Sequence, residues 1–331
     1  MRSALQDDTG PIGIFLVVAV ALVAALIVRG NLSFDLILFS LLQYFATIGP
    51  VALGLGLTMI AREFDLSVGS TMGFAGCVAV LTSGDNALIG ASCGIGAGLV
   101  VGLFQGLAIA GLGLSSIAVS LGGLMTVAGL SYVVTHNETI SFANQAVTIQ
   151  MNAPLLAIFS VRSLLAIACF VIAAVVFVRT RIGANLIATG SDRTAATTSG
   201  VKTGRMVVCV FMLSGALAAL SGVLLTFGLS VASPAGLTDI LVPAISAAII
   251  GGVSLSGGRG SPVGIAFGTL TLCALSAGLN ALGLSPVVQQ IVMAGVLFAV
   301  AIAAAPRLYR FHPWQALRVR NGNLQKTDEW I

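Results

Sequence analysis

Between Asn86 and Asn137 the chain carries no Asp, Glu, Lys or Arg. A helix rises about 1.5 Å per residue, so one helix over that stretch would be more than twice the roughly 30 Å of bilayer hydrocarbon. The stretch must hold two membrane spans, broken near Gly111-Leu112-Gly113, and we place them at 87–110 and 114–134. The uncharged run from Gly260 to Pro306 needs two more, 262–281 and 286–305. Only 8% of the 331 residues are charged and mean hydropathy is +1.08, whereas soluble domains carry about 25% charged residues. The fold class expected is all-α, a polytopic membrane protein.

Further apolar runs at 11–28, 36–60, 66–82, 154–178 and 206–230 fit spans. Residues 238–253 are short and contain Pro243, which we expect to interrupt a short or broken helix. The total is about ten transmembrane helices. No clean small-residue cleavage pattern follows the first run, so it reads as a span rather than a signal peptide.

Orientation follows Lys and Arg in short loops. The 179–205 loop carries Arg179, Arg181, Arg193, Lys202 and Arg205 against one acid, Asp192; the tail has Arg307, Arg310, Arg318, Arg320 and Lys326. Both are expected in the cytoplasm, with the N-terminus, while 135–153 lacks Lys and Arg and falls outside. Arg29 is the exception. Residues 1–315 then form the membrane domain and 316–331 a cytoplasmic tail. The net charge of +4 gives no aromatic-basic surface for nucleic acid.

Gly90, Gly94, Gly98, Gly102 and Gly106 recur every fourth residue, which puts a glycine ridge on one helix face. Small residues at this spacing let helix backbones approach in lipid. Ser214, Ala218 and Gly222 repeat the pattern, as do Gly264 and Gly268. Bundle packing and a subunit interface both fit. Gln43, Gln105, Asn280, Gln289 and Gln290 should face the bundle interior or a pathway, because an amide facing lipid is costly. No Asp, Glu, Lys or Arg is expected buried mid-span, which argues against an ion-driven carrier.

Catalytic and metal motifs are missing. Neither lysine follows a glycine, so there is no phosphate-binding loop, and no H-E-x-x-H occurs. His136 and His312 lack ligand spacing, and the five cysteines sit in apolar runs with no C-x-x-C, so no metal site is expected. Asp65 at the mouth of a span reads either as an ion-binding or catalytic carboxylate or as an anion at a helix N-terminus. The chain has the features of a pathway without a motor.

Two glycine-bearing stretches remain. Ile250 to Gly264 reads I-G-G-V-S-L-S-G-G-R-G-S-P-V-G, with Ser261-Pro262 as N-cap and first helical turn. Asp65-Leu66-Ser67-Val68-Gly69-Ser70 echoes its L-S-x-G element. The first resembles the I-G-G-x-S-L-S-G-G-x-G-S-x-x-G signature of bacterial sugar ABC importer permeases of the ribose, xylose, arabinose, galactose, autoinducer-2 and inositol type. The second is similar to the same family's G-G-I-D-L-S-V-G-S. Thr180 to Lys202 resembles its cytoplasmic segment, and Gly278-Leu279-Asn280 with Leu282-Gly283 its G-L-N-x-L-G. Arg62-Glu63-Phe64 stands where the family has G-G-I, Ala184 replaces an Arg, and Ser191-Asp192 replaces Gly-Asn.

The resemblance implies a permease subunit in a bacterial inner membrane, an importer component and not an enzyme. It implies a second permease subunit, two ABC ATPase subunits and a periplasmic sugar-binding protein as partners. ATP and Mg would sit on the ATPase, leaving this chain without a cofactor. Gly190, Arg193, Ala195, Ala196 and Gly200 would form the element that meets the ATPase, with Ala195 and Ala196 in a groove and Arg193 at a polar contact. Asp65, Ser67, Gly69, Ser70, Ser256, Gly257, Gly258, Arg259, Asn280 and Gln289 are candidate pathway or hinge residues. Alternatives are a branched-chain amino acid or nucleoside permease, or a stand-alone carrier.

Overall fold

The computed structural model describes residues 9–29, 34–235 and 238–304. Among them the chain is mostly helical. In order run α1 (Thr9–Arg29), α2 (Phe34–Ile60), α3 (Val68–Ser83), α4 (Ala87–Leu112) and α5 (Ser116–Val134). A two-residue strand β1 (Ile140–Ser141) and α6 (Gln145–Asn152) precede α7 (Val161–Arg179). Then come α8 (Arg181–Ser191), α9 (Arg193–Thr198), α10 (Thr203–Leu229) and β2 (Val231–Ala232). A 3-10 turn at Thr238–Ile240 leads into α11 (Leu241–Ile250), followed by α12 (Pro262–Ala281) and α13 (Pro286–Ala304). The chain divides into two compact units, residues 1–286 and 287–331. The tail after 304 lies outside the described residues.

This is an all-α polytopic membrane protein. Among the described residues six helices, α2, α4, α5, α7, α10 and α12, are long and apolar enough to cross a membrane. Shorter apolar stretches lie at Gly10–Val20, Val68–Ser83, Leu241–Ile250 and Val287–Val296. Length and composition alone therefore support six spans among the described residues, and leave the expected count of about ten unconfirmed.

Local chemistry sets the helix boundaries. Asn86 accepts the Leu88 N–H at the start of α4, and Gly113 closes that helix in the left-handed region at the expected break. Ser160 and Ser163 form a capping box that opens α7. This start corrects the expected span of 154–178: residues before it fold into a tight pair, Leu155 with Phe159. Ser261 accepts the Gly264 N–H with Pro262 in the first turn of α12, as the sequence reads. Pro243 lies in the first turn of α11, where no intrahelical N–H is needed, so it opens that helix rather than interrupting it.

α10 is the centre of the first unit and packs against α2, α3 and α4. The glycine ridge of α4 explains how closely. Gly90, Gly94, Gly98, Gly102 and Gly106 are all buried. A Cβ at Gly94 would strike the Ala75 carbonyl of α3; one at Gly98 or Gly102 would strike the Gly215 or Phe211 carbonyl of α10. Gly222 approaches the Met72 carbonyl in the same way. The stripe thus serves contacts within the subunit.

At the end of α10 remote from α8, β1 pairs antiparallel with β2 and Phe142 stacks on Phe227 with centroids 4.5 Å apart. Arg162 there is 5% exposed. This corrects the expectation that no charge is buried within the spans, since 162 lies inside the expected 154–178. Arg162 donates to Asn152 (3.2 Å) and Thr47 (3.1 Å), and its guanidinium lies against Gly228. Asn152 donates to the Gly228 carbonyl at 2.7 Å. The guanidinium therefore sits at the carbonyl end of α10, where the helix dipole favours a cation.

Gly102→Ala should destabilise the protein by about 1–3 kcal/mol, because the neighbour it meets is backbone and cannot yield. Gly96, with open space around its Cβ position, should tolerate alanine. Thermal unfolding of the two variants in detergent checks the contrast.

Candidate functional site

The link between α2 and α3 is irregular yet buried, with Ala61, Glu63, Asp65 and Ser67 all shielded from solvent. Irregular backbone inside a membrane protein requires partners from the protein itself. Arg62 takes φ +65°, and the N–H groups of Arg62 and Glu63 donate back to Met59 (2.9 Å) and Thr58 (3.0 Å). This turn uses the left-handed conformation that a glycine would adopt without steric penalty. Phe64 is held at both ends by α5: its N–H donates to Ser116 Oγ and its carbonyl accepts from Ser120 Oγ, each at 3.2 Å.

Asp65 is 1% exposed. Its Oδ1 accepts from the Ser67 hydroxyl (2.7 Å) and N–H (3.1 Å), and Oδ2 accepts from the Ser214 hydroxyl (2.7 Å) near the middle of α10. Gln105 of α4 extends the network by donating from Nε2 to Ser67 Oγ at 2.9 Å. Gly123 of α5 lies so close to that amide that a Cβ there would collide with it. Ser70 donates to the Ser67 carbonyl at 2.9 Å, and Gly69 is buried beside it. Four helices thus converge on one buried carboxylate whose hydrogen-bond donors are neutral.

The second stretch forms a backbone junction. The Gly258 N–H donates to the Ile60 carbonyl at 2.9 Å. Gly190, near the end of α8, lies against both groups, and any Cβ there would collide with Ile60. Gly257 and Gly258 take φ +78° and +72° and leave no room for a Cβ beside Arg62 and Ser191. The end of α2, the end of α8 and the glycine loop therefore meet at one point. An ion pair lies beside it: Arg193 Nη2 reaches Glu63 Oε1 at 2.5 Å, with the Glu63 side chain 9% exposed. Asp192 caps α9 by accepting the N–H groups of Thr194 and Ala195.

Ala195 is exposed but Ala196 is buried within the chain, so of these two only Ala195 presents an outer surface. Gly200 is exposed at φ +87°. Ser256 and Arg259 sit on the exposed side of the glycine loop, where Ser256 pairs with Ser254 at 2.8 Å. Asn280 is exposed at the end of α12 remote from that loop, and so stands apart from the Asp65 network. Gln289 belongs to α13 in the other unit.

Sequence reading missed Glu63 as a functional partner, although its departure from the expected glycine was the available signal. It flagged Gln105 as interior, and saw Ser214 only as a small packing residue. Among the described residues no group of three His, Cys, Asp or Glu is placed to hold a metal.

Residues 37–301 match the family described as branched-chain amino acid transport system / permease component. The ribose import permease protein RbsC of Escherichia coli is 31% identical over 80% of this chain and 84% of its own length. The fructose import permease protein FrcC of Rhizobium meliloti is 30% identical over 87% and 83%. The L-arabinose transport system permease protein AraH of Escherichia coli is 28% identical over 88% and 89%. No solved structure matches the chain.

Replacing Asp65 by Ala strands the Ser67 N–H and the Ser214 hydroxyl, each unsatisfied buried group costing about 1–3 kcal/mol. Asp65→Asn keeps one acceptor oxygen and should lose less. Folded yield and melting temperature in detergent should rank wild type above Asn above Ala; equal values for the three would remove the network from the account.

Proposed function

The chain belongs to this family of transport-system permease components, and from that premise we propose that it is the membrane subunit of an ATP-driven sugar importer. Three similar proteins are named for ribose, fructose and arabinose import, which supports a monosaccharide as the solute. The family's own description supports the second reading, a branched-chain amino acid. Two permease subunits form the pathway, ABC ATPase subunits dock beneath it with ATP and Mg, and a periplasmic binding protein delivers the solute. This role calls for about ten passes through a bacterial inner membrane, of which six helices are candidates by length and composition, with both termini and the tail 316–331 in the cytoplasm.

The observation that carries the mechanism is the triple junction of Ile60, Gly190 and Gly258. α8 and α9 lie in the basic segment expected to meet the ATPase, and they are fastened to the end of α2. The connection from α2 continues within two residues from Glu63 to Asp65. We therefore assign the junction to force transmission: a push on α9 moves α8, the glycine loop and the end of α2 as one body. Bending falls elsewhere, and the Asp65 network carries the displacement to α3, α4 and α10. Binding-protein affinity sets solute choice.

Co-expression with its genomic neighbours should yield a complex whose ATP hydrolysis rises with one sugar-loaded binding protein and not with a leucine-loaded one. Stimulation by leucine alone selects the second reading, and solute movement without ATP or partners overturns both. Within such a complex, Arg193→Glu should lower uptake per ATP hydrolysed several-fold. Adding Glu63→Arg should restore much of the loss, since the pair is then reformed with its charges exchanged. A double variant no better than the single one would remove the ion pair from the coupling route.

A further inference from the structure

A cavity of about 360 Å³ opens between α8 and the start of α10. Arg181 and Asn185 line it from α8; Gly200, Lys202, Arg205 and Met206 line it from the other side. Three cations, Arg181, Lys202 and Arg205, thus converge on one concavity that, among the described residues, no carboxylate lines. The described residues' ion pair, Arg193 with Glu63, is not part of it. Bringing like charges together is unfavourable unless an anion resides among them. Above the charged rim the surface turns apolar: Met206 is in the wall, and Cys209 and Leu213 follow on the same face of α10, both exposed, Leu213 at 42%. A socket of three cations below an exposed apolar helix stripe matches an amphiphile with an anionic head.

We propose that this cavity binds the phosphate of an anionic phospholipid from the cytoplasmic leaflet, with its acyl chains lying along Met206, Cys209 and Leu213. The charge requirement is met by a phosphodiester, and the apolar stripe selects a lipid over a soluble phosphate. Basic pockets at the cytoplasmic ends of membrane helices hold such head groups through charge and hydrogen bonds from Arg and Lys. A lipid there abuts Ser199 and Gly200, next to α9, so membrane charge acts on the segment assigned to the ATPase. The proposal does not depend on which solute the chain carries.

Native mass spectrometry of the full-length chain in detergent, titrated with phosphatidylglycerol or phosphatidylcholine, tests this. Phosphatidylglycerol should bind at least about tenfold tighter, because each basic residue near an anionic head group contributes roughly fivefold in affinity. The triple variant Arg181→Gln, Lys202→Gln, Arg205→Gln should lose that preference while binding phosphatidylcholine as before. The charge-keeping variant Arg181→Lys, Lys202→Arg, Arg205→Lys should retain it, which separates charge loss from misfolding. Unchanged phosphatidylglycerol affinity in the Gln variant overturns the proposal. So does glycerol 3-phosphate binding as tightly as the lipid, which would make this a soluble-phosphate site. Loss of ATPase co-purification with lipid affinity intact would assign the cavity to an acidic protein surface instead.

Discussion

A backbone that leaves helical geometry inside a membrane protein must find every hydrogen-bond partner within the protein, because lipid offers none. In the link from Ile60 to Val68 several of these partners can be named. Met59 and Thr58 carbonyls close the end of α2, Ser116 and Ser120 hold Phe64, and Asp65 accepts the Ser67 N–H. The rest of the arrangement follows from that solution. α5 must lie where its two hydroxyls reach Phe64. α4 and α10 must approach closely enough for Gln105 and Ser214 to reach the Asp65 cluster, and the glycine ridge of α4 makes that approach sterically possible.

The same economy of space governs the other end of the link. Gly190, Gly257 and Gly258 matter here for their missing Cβ atoms more than for freedom of movement. Two of them hold positive φ, and all three are hemmed in by backbone or by the first atoms of a side chain. A stretch that looks loose in sequence is, in the fold, a close fit between three segments. The Glu63–Arg193 pair adds a directed contact at its rim, with one partner buried and the other half-exposed. Because Glu63 is so little exposed, removing Arg193 strands a carboxylate, and that penalty exceeds the worth of an ordinary surface pair.

Much of this was legible in the sequence. Uncharged runs fixed the helical class, the break at Gly111–Gly113, and the start of α12 at Ser261-Pro262. The four-residue glycine spacing foretold close helix packing but could not name its partners, which depend on how α3 and α10 lie against α4. Arg162 defeated a rule based on charge, because a helix C-terminus compensates it and no acid marks the place in sequence. α8 and α9 went unread for a related reason: their caps, Thr180 and Asp192, are ordinary polar residues in a loop whose charges already had an explanation in orientation. The Asp65 network was half visible. Asp65, Ser67 and Gln105 stood out as polar residues near or in apolar runs, while Ser214 passed as a small residue in a helix contact.

The proposed force transmission requires that α8, α9, the glycine loop and the end of α2 form one rigid body. A spin-label distance between positions 194 and 255, both exposed, tests it in the proposed complex with the ATPase after replacement of the native cysteines. For a rigid body this distance stays within about 2 Å between nucleotide-free and ATP-bound states, the scale of small shifts within packed elements. A larger change would show that the glycine loop bends during the cycle, and would return that stretch to the role of a hinge.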